Sequence, residues 1–114
     1  IGVVLKDVGE QILLELGVKR KQIYRYNKGV HLADMLQKGR IDLLAYGKLV
    51  TRWNLKTLGF EPNDYEAVYS LQQAEYYYAL NNKTDDRIVN QLQSALNQLK
   101  ESGALDRIVK RYLD

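Results

Sequence analysis

Three times in its first half this chain passes from a short β-rich run, through a polar turn, into residues at helical spacing. Residues 1–5 are apolar throughout except Gly2; after Lys6-Asp7-Val8-Gly9, Ile12, Leu13 and Leu16 recur on one helical face and Gly17 ends the pattern. Residues 23–26 (Ile-Tyr-Arg-Tyr) alternate as a strand does, Asn27-Lys28-Gly29 breaks the run, and residues 30–38 place Leu32, Met35 and Leu36 on one helical face before Gly39. Residues 41–46 form the third run, and a helix starting at Gly47 or Lys48 carries Leu49, Val50 and Trp53, with Trp53 expected in the core. A loop holding the only proline leads to an alternating stretch, residues 65–71, expected to be a fourth strand. Parallel strands need crossover connections, so this order predicts an α/β fold: a mostly parallel sheet with helices on both faces. Residues 1–5 suit a strand buried on both faces, and residues 41–46 suit a central one.

The last third reads differently. A polar stretch, residues 72–75, precedes Tyr76-Tyr77-Tyr78-Ala79-Leu80, whose aromatic enrichment suits a strand. Asn81-Asn82-Lys83 breaks that run. Thr84 is the expected N-cap of a long helix, with Asp85 and Asp86 in its first turn, where the helix dipole favours negative charge. Ile88, Leu92, Leu96 and Leu99 mark its apolar face, Gly103 stops it, and a second amphipathic helix closes the chain.

Composition removes several classes of function. With 46% hydrophobic and 27% charged residues the chain is globular in character. No apolar run approaches the ~18 residues of a membrane span. There is no cysteine, hence no disulfide or thiolate metal site, and the single histidine, His31, reads as a surface residue. The net charge is +3, and the only basic cluster, Lys19-Arg20-Lys21, reads as a solvated loop, so no nucleic-acid partner is expected. No phosphate-binding loop, nucleophile elbow or metal motif is present; neither an enzyme nor a cofactor is expected. The chain opens on a strand-like run without Met, and is read as part of a longer protein.

Two stretches together carry a family resemblance. Leu36-Gln37-Lys38-Gly39-Arg40-Ile41-Asp42 has a helix end running into a strand, and Tyr78-Ala79-Leu80-Asn81-Asn82-Lys83-Thr84-Asp85-Asp86 is followed by Leu92-Gln93-Ser94-Ala95-Leu96, Leu99-Lys100-Glu101-Ser102-Gly103 and Ile108-Val109-Lys110-Arg111-Tyr112-Leu113. This resembles the bacterial extracellular solute-binding proteins of family 3, two-lobed proteins with the type 2 periplasmic-binding-protein fold. The resemblance covers almost the whole chain. It implies that residues 1–73 are the second lobe, that residues 74–114 hold a hinge strand and C-terminal helices belonging to a first lobe outside this chain, and that Gln73, Ala74, Glu75 and Tyr76 form the hinge. It further implies a periplasmic or extracellular protein that captures a small polar solute of the amino-acid-like class and delivers it to the membrane permease of an ABC-type transporter. A sensor module of a signalling receptor, a dehydratase on the same fold, and the effector domain of a transcription regulator are the alternatives.

In that family the first turn of lobe two is Gly-Ser/Thr at a helix N-terminus, which holds the ligand carboxylate; the matching positions here are Asp7 and Val8, and neither fits. The Asp that takes the ligand ammonium is matched by Gly47. An ordinary α-amino acid is therefore not the expected ligand. The residues expected at the strand ends, where open α/β sheets bind ligands, are Lys6, Asp7, Val8, Gly9, Tyr26, Asn27, Tyr46 and Gly47. Plain structural roles compete with this reading: Gly9 as a turn residue, Tyr26 as an edge cover, Tyr46 as core. The tail helices present more apolar surface than water tolerates, which predicts a homodimer through residues 75–114, intertwined by exchange of tails.

Overall fold

The structure, a computed structural model, describes residues 1–113, which divide into two compact units, 1–73 and 74 onward. In the first unit the elements are β1 (Gly2–Val4), α1 (Val8–Glu15), β2 (Tyr24–Tyr26), α2 (Gly29–Gln37), β3 (Leu44–Ala45) and α3 (Lys48–Thr57), with single 3-10 turns at Arg20–Gln22 and Pro62–Asp64. The sheet is parallel and three-stranded, in the order β2-β1-β3. Gly2 pairs with Tyr24 on one side and Leu44 on the other; Val3 pairs with Arg25 and Ala45. The central strand is thus β1, not the run at 41–46, which lies at an edge with only two residues in the ladder.

Side-chain alternation along β1 separates two packing faces. Val3 is fully buried in a cluster with Leu13 of α1, Ile23 and Ala45. The opposite face of β1 carries Gly2, where a Cβ would come 2.6 Å from Ile41 Cδ1 and 2.7 Å from Leu32 Cδ2. Leu32 and Ala33 of α2 and Leu55 of α3 are buried, and α2 packs against α3. Helices therefore cover both faces of the sheet, as the βα order predicts.

The three helices of this unit end alike. Gly17, Gly39 and Gly59 all have positive φ, a conformation in which a Cβ is costly. At α1 the N–H of Val18 donates to Leu13 O and that of Gly17 to Leu14 O. Arg40 and Gly39 repeat this pair at α2, and Phe60 and Gly59 at α3. These are Schellman closures; the first two turn the chain back into β2 and β3, and the third leads into the turn at Pro62–Asp64, which packs on α3.

Residues 65–71 form no strand. Tyr65 Oη donates to Gln37 Oε1 and Leu71 packs on the Val3 cluster, but Val68 and Tyr69 are 67% and 69% exposed. Among the described residues no backbone–backbone hydrogen bond forms between 65 and 80. Edge strand β3 offers a two-residue ladder, too short to template a neighbour. The expected hinge strand at 76–80 is likewise absent: Tyr76, Tyr77 and Tyr78 are exposed and unpaired along the backbone. Trp53, expected in the core, is 44% exposed.

The second unit holds α4 (Asp86–Glu101) and α5 (Ala104–Leu113). The N-cap is Asp85 rather than Thr84: Asp85 Oδ1 accepts from the N–H of Arg87 at 2.8 Å. Neither helix contains a buried residue.

Candidate functional site

Because the sheet is parallel, all three strands deliver their chains to the same edge, and the three β-to-α turns meet there. Of the eight expected site residues, Lys6, Asp7, Asn27, Tyr46 and Gly47 lie in those turns, Tyr26 ends β2, and Val8 and Gly9 open α1. Two close approaches join them. A Cβ on Gly9 would sit 3.3 Å from Ala45 O, so the first turn of α1 lies directly against the end of β3. The ring of Tyr46 lies over Gly29 at the start of α2, where a Cβ would meet Tyr46 Cε1 at 2.5 Å and Asn54 Nδ2 at 3.0 Å. Gly9 and Gly29 are therefore places of close packing, where half-buried Tyr46 and Asn54 of α3 both come against the start of α2.

The helix N-termini at this edge are not equivalent. Asp7 is the N-cap of α1, and its Oδ1 accepts the N–H of Val8 at 2.9 Å. Its carboxylate is thus a built-in anion at that terminus, already facing the first-turn donors and the positive end of the helix dipole. Val8 is half exposed and adds no hydroxyl. At α2 and α3 the caps are Lys28 and Gly47, and neither makes a side-chain cap bond. At α2 the N–H of His31 already donates to Lys28 O at 3.1 Å and Gly29 is buried against Tyr46, whereas the first-turn residues 48–50 of α3 are exposed and their N–H groups meet no backbone acceptor among the described residues. Tyr26 is half-buried at the end of β2, where its carbonyl accepts the N–H of Leu5 at 2.7 Å; Asn27 and Gly47 are exposed.

Lys6 has φ 65°, the only positive φ outside glycine among the described residues. A left-handed lysine costs of order 1 kcal/mol, and here it bends the chain from β1 into the Asp7 cap. Lysines also stand at the other two helix starts, though not at equivalent positions: Lys6 precedes the N-cap of α1, Lys28 is the N-cap of α2 and Lys48 is the first residue of α3. Lys6 was expected at the site from the sequence; Lys28 and Lys48 were not, although a lysine beside each predicted helix start was there to be seen.

A second feature that sequence reasoning missed ties the edge together. Arg25 donates through Nε (2.8 Å) and Nη2 to Glu10 Oε1, joining β2 to the first turn of α1, with Arg20 3.7 Å away. Val3 and Arg25 share a register position, so both side chains leave the sheet on the α1 face. The hydrogen bonds from Arg25 hold the Glu10 carboxyl below the usual range against the opposing effect of partial burial, and the charges of Arg25 and Arg20 act in the same direction.

The expected hinge residues Gln73, Ala74, Glu75 and Tyr76 flank the division between the units; near them Tyr77 Oη donates to Glu75 Oε2 at 2.6 Å, which raises the Tyr77 pKa. Among the described residues no group of three acidic or histidine side chains could hold a metal ion, and no helix is long and apolar enough to cross a membrane. Compared with protein-family models, with curated proteins and with solved structures, the chain matches none.

Proposed function

We propose that this chain belongs to an extracytoplasmic solute-binding protein of an ABC-type uptake system, with residues 1–73 as one lobe that captures a small polar solute for a membrane permease. The observation that carries the reading is the meeting of three β-to-α turns at one sheet edge, with two helix N-termini left without side-chain caps. Tyr46 and Asn54 pack against Gly29 at the α2 terminus, and Lys6, Lys28 and Lys48 each stand within one residue of a helix N-cap. The solute is held by its acceptor atoms chiefly at α3, where the first-turn donors are open, while Asp7 closes α1 to anions. Common α-amino acids, which need the hydroxyl and carboxylate that Val8 and Gly47 lack, bind poorly.

Amide chemical-shift mapping of the chain against a panel of amino acids, dicarboxylates, sugars and inorganic phosphate tests this. The expected result is saturable shifts confined to residues 27–31 and 46–50 with one class of solute. Shifts spread over the surface, or none with any member of the panel, overturn it.

A further inference from the structure

The three helices of the first unit differ in charge. α1 carries Glu10 and Glu15, α2 carries Asp34, and neither contains a lysine or arginine. α3 is the reverse: it contains Lys48, Arg52 and Lys56, and residues 43–60 include no Asp or Glu. These cations recur at a spacing of four, so they form one stripe along the helix. Leu55, 1% exposed, marks the side that faces the core. On the side away from it Leu49, Val50 and Trp53 are 54%, 43% and 44% exposed. The outer surface of α3 is thus an apolar strip edged by cations. Among the described residues none of those cations forms an ion pair; Arg52 Nη2 donates to Asn63 Oδ1 at 3.1 Å. The nearest carboxylates in sequence after the helix are Glu61 and Asp64, at the turn that packs on α3, and Glu61 Oε1 accepts the N–H of Asn63.

We propose that α3 docks the protein on an anionic phospholipid surface. The helix lies in the plane of the interface, with Leu49, Val50 and Trp53 among the upper acyl chains and Lys48, Arg52 and Lys56 against the headgroup phosphates. Charge selects this occupant. A second copy would set the same cations against themselves. The closing helix α5 of the same chain carries Arg107, Lys110 and Arg111 beside a single Asp106, again a net positive face. Shape selects it too. The outer side of a helix is a convex strip, to which a fluid bilayer conforms, whereas a rigid protein partner needs a matching hollow. Long lysine and arginine stems let the apolar side chains sink while the cations stay among the headgroups, and an indole suits that depth. With so few apolar side chains the attachment is weak and reversible. Docking of this kind requires no solute at the sheet edge.

Trp53 is the only tryptophan, so its fluorescence reports on this face. The full chain is titrated with vesicles of phosphatidylglycerol and phosphatidylcholine in equal parts, with phosphatidylcholine alone, and with the anionic mixture carrying brominated acyl chains. The expected result is a blue shift with the anionic vesicles, quenching by the brominated lipid, and loss of both at about 0.5 M salt. Phosphatidylcholine alone gives neither. Lys48→Gln with Lys56→Gln lowers the partition coefficient about 20-fold, at roughly fivefold per cation near an anionic surface. Circular dichroism checks that this variant keeps its helices, and the brominated-lipid measurement on the wild-type chain needs no variant. No blue shift with anionic vesicles at millimolar lipid overturns the proposal. So does co-sedimentation with the vesicles while Trp53 stays unquenched, because attachment then runs through another surface such as α5. An equal shift with poly-glutamate, without quenching by brominated lipid, assigns the face to an acidic polypeptide and overturns it as well. A folded double variant that binds as the wild type does the same.

Discussion

Among the described residues the longest helix, α4, buries no side chain, while the three short helices of the first unit hold its core. In the first unit α1, α2 and α3 have eight to ten residues, too few to persist alone in water. They persist because Leu13, Leu32 and Leu55 are each 5% exposed or less, and because each helix is closed by a full Schellman pair. In the second unit α4 has sixteen residues and no buried side chain. Its C-terminus has only half the closure: Gly103 donates to Lys100 O, and no N–H of the following residue reaches back. The difference separates two things that amphipathic periodicity confounds. The pattern says which face of a helix is apolar; it does not say that the same chain covers that face.

The sharpest way to break this comparison is to truncate one leucine in each unit. Leu55 is 1% exposed, so Leu55→Ala leaves a cavity as well as losing the transfer term, and costs ~2–5 kcal/mol. Leu99 is 41% exposed, and Leu99→Ala costs under ~1 kcal/mol in dilute, monomeric protein. Urea unfolding followed by circular dichroism gives both values. Equal losses mean that the tail face is covered within one chain, and the contrast between the units fails.

Much of the first unit was legible because local signals agreed with one another. Gly17 and Gly39 sit where helical spacing ends, and both turned out to be left-handed closures. Residues 65–71 and 76–80 misled because alternation and aromatic content describe a side-chain surface, and a strand also needs a backbone partner. Sequence shows the donor and acceptor row of a strand but not whether β3 is long enough to receive it. The order of the strands was hidden for a similar reason. Ile41 looks like a strand residue, yet it leaves the ladder to fill the space beneath Gly2. At the candidate site the turn positions were readable and the roles were not. Asp7 appeared as a charge in the wrong place, and only the 2.9 Å bond to Val8 shows it to be a cap.

Caps give a gentler version of the comparison. Asp7 and Asp85 both cap with a side-chain oxygen, but Asp7 accepts from the next residue, Val8, at 2.9 Å, and Asp85 from the residue two on, Arg87, at 2.8 Å. Asp7→Ala removes about 1 kcal/mol from a cooperatively folded unit and lowers its urea midpoint. Asp85→Ala removes a similar amount from α4 alone, so helix content falls while the midpoint of the first unit stays where it was. A shift of that midpoint by Asp85→Ala shows that the two units unfold together.

Ion pairs give the smallest contrast. Arg87 lies 3.6 Å from Asp85, two residues away on the same helix start, so their encounter needs no tertiary fold. Glu10 and Arg25 come from α1 and β2 and meet only in the folded sheet, with the Glu10 side chain 18% exposed. Its carboxyl is held below its ordinary value in the folded chain alone, chiefly by the hydrogen bonds from Arg25. The folded state therefore binds the Glu10 proton less readily than the unfolded chain does. The resulting stabilisation is full above the unfolded pKa of ~4.3 and is lost as pH falls through the lower, folded value. Glu10→Gln removes this dependence. Between about pH 6 and pH 3 the urea midpoint of the variant declines less steeply than that of the wild type, and the two curves converge at the acid end. Raising the salt concentration brings them together at neutral pH as well, because both partners are reached by solvent. A variant curve parallel to the wild type across this range means that Arg25 holds Glu10 no better in the fold than out of it. The pair would then be as local in effect as Arg87 with Asp85.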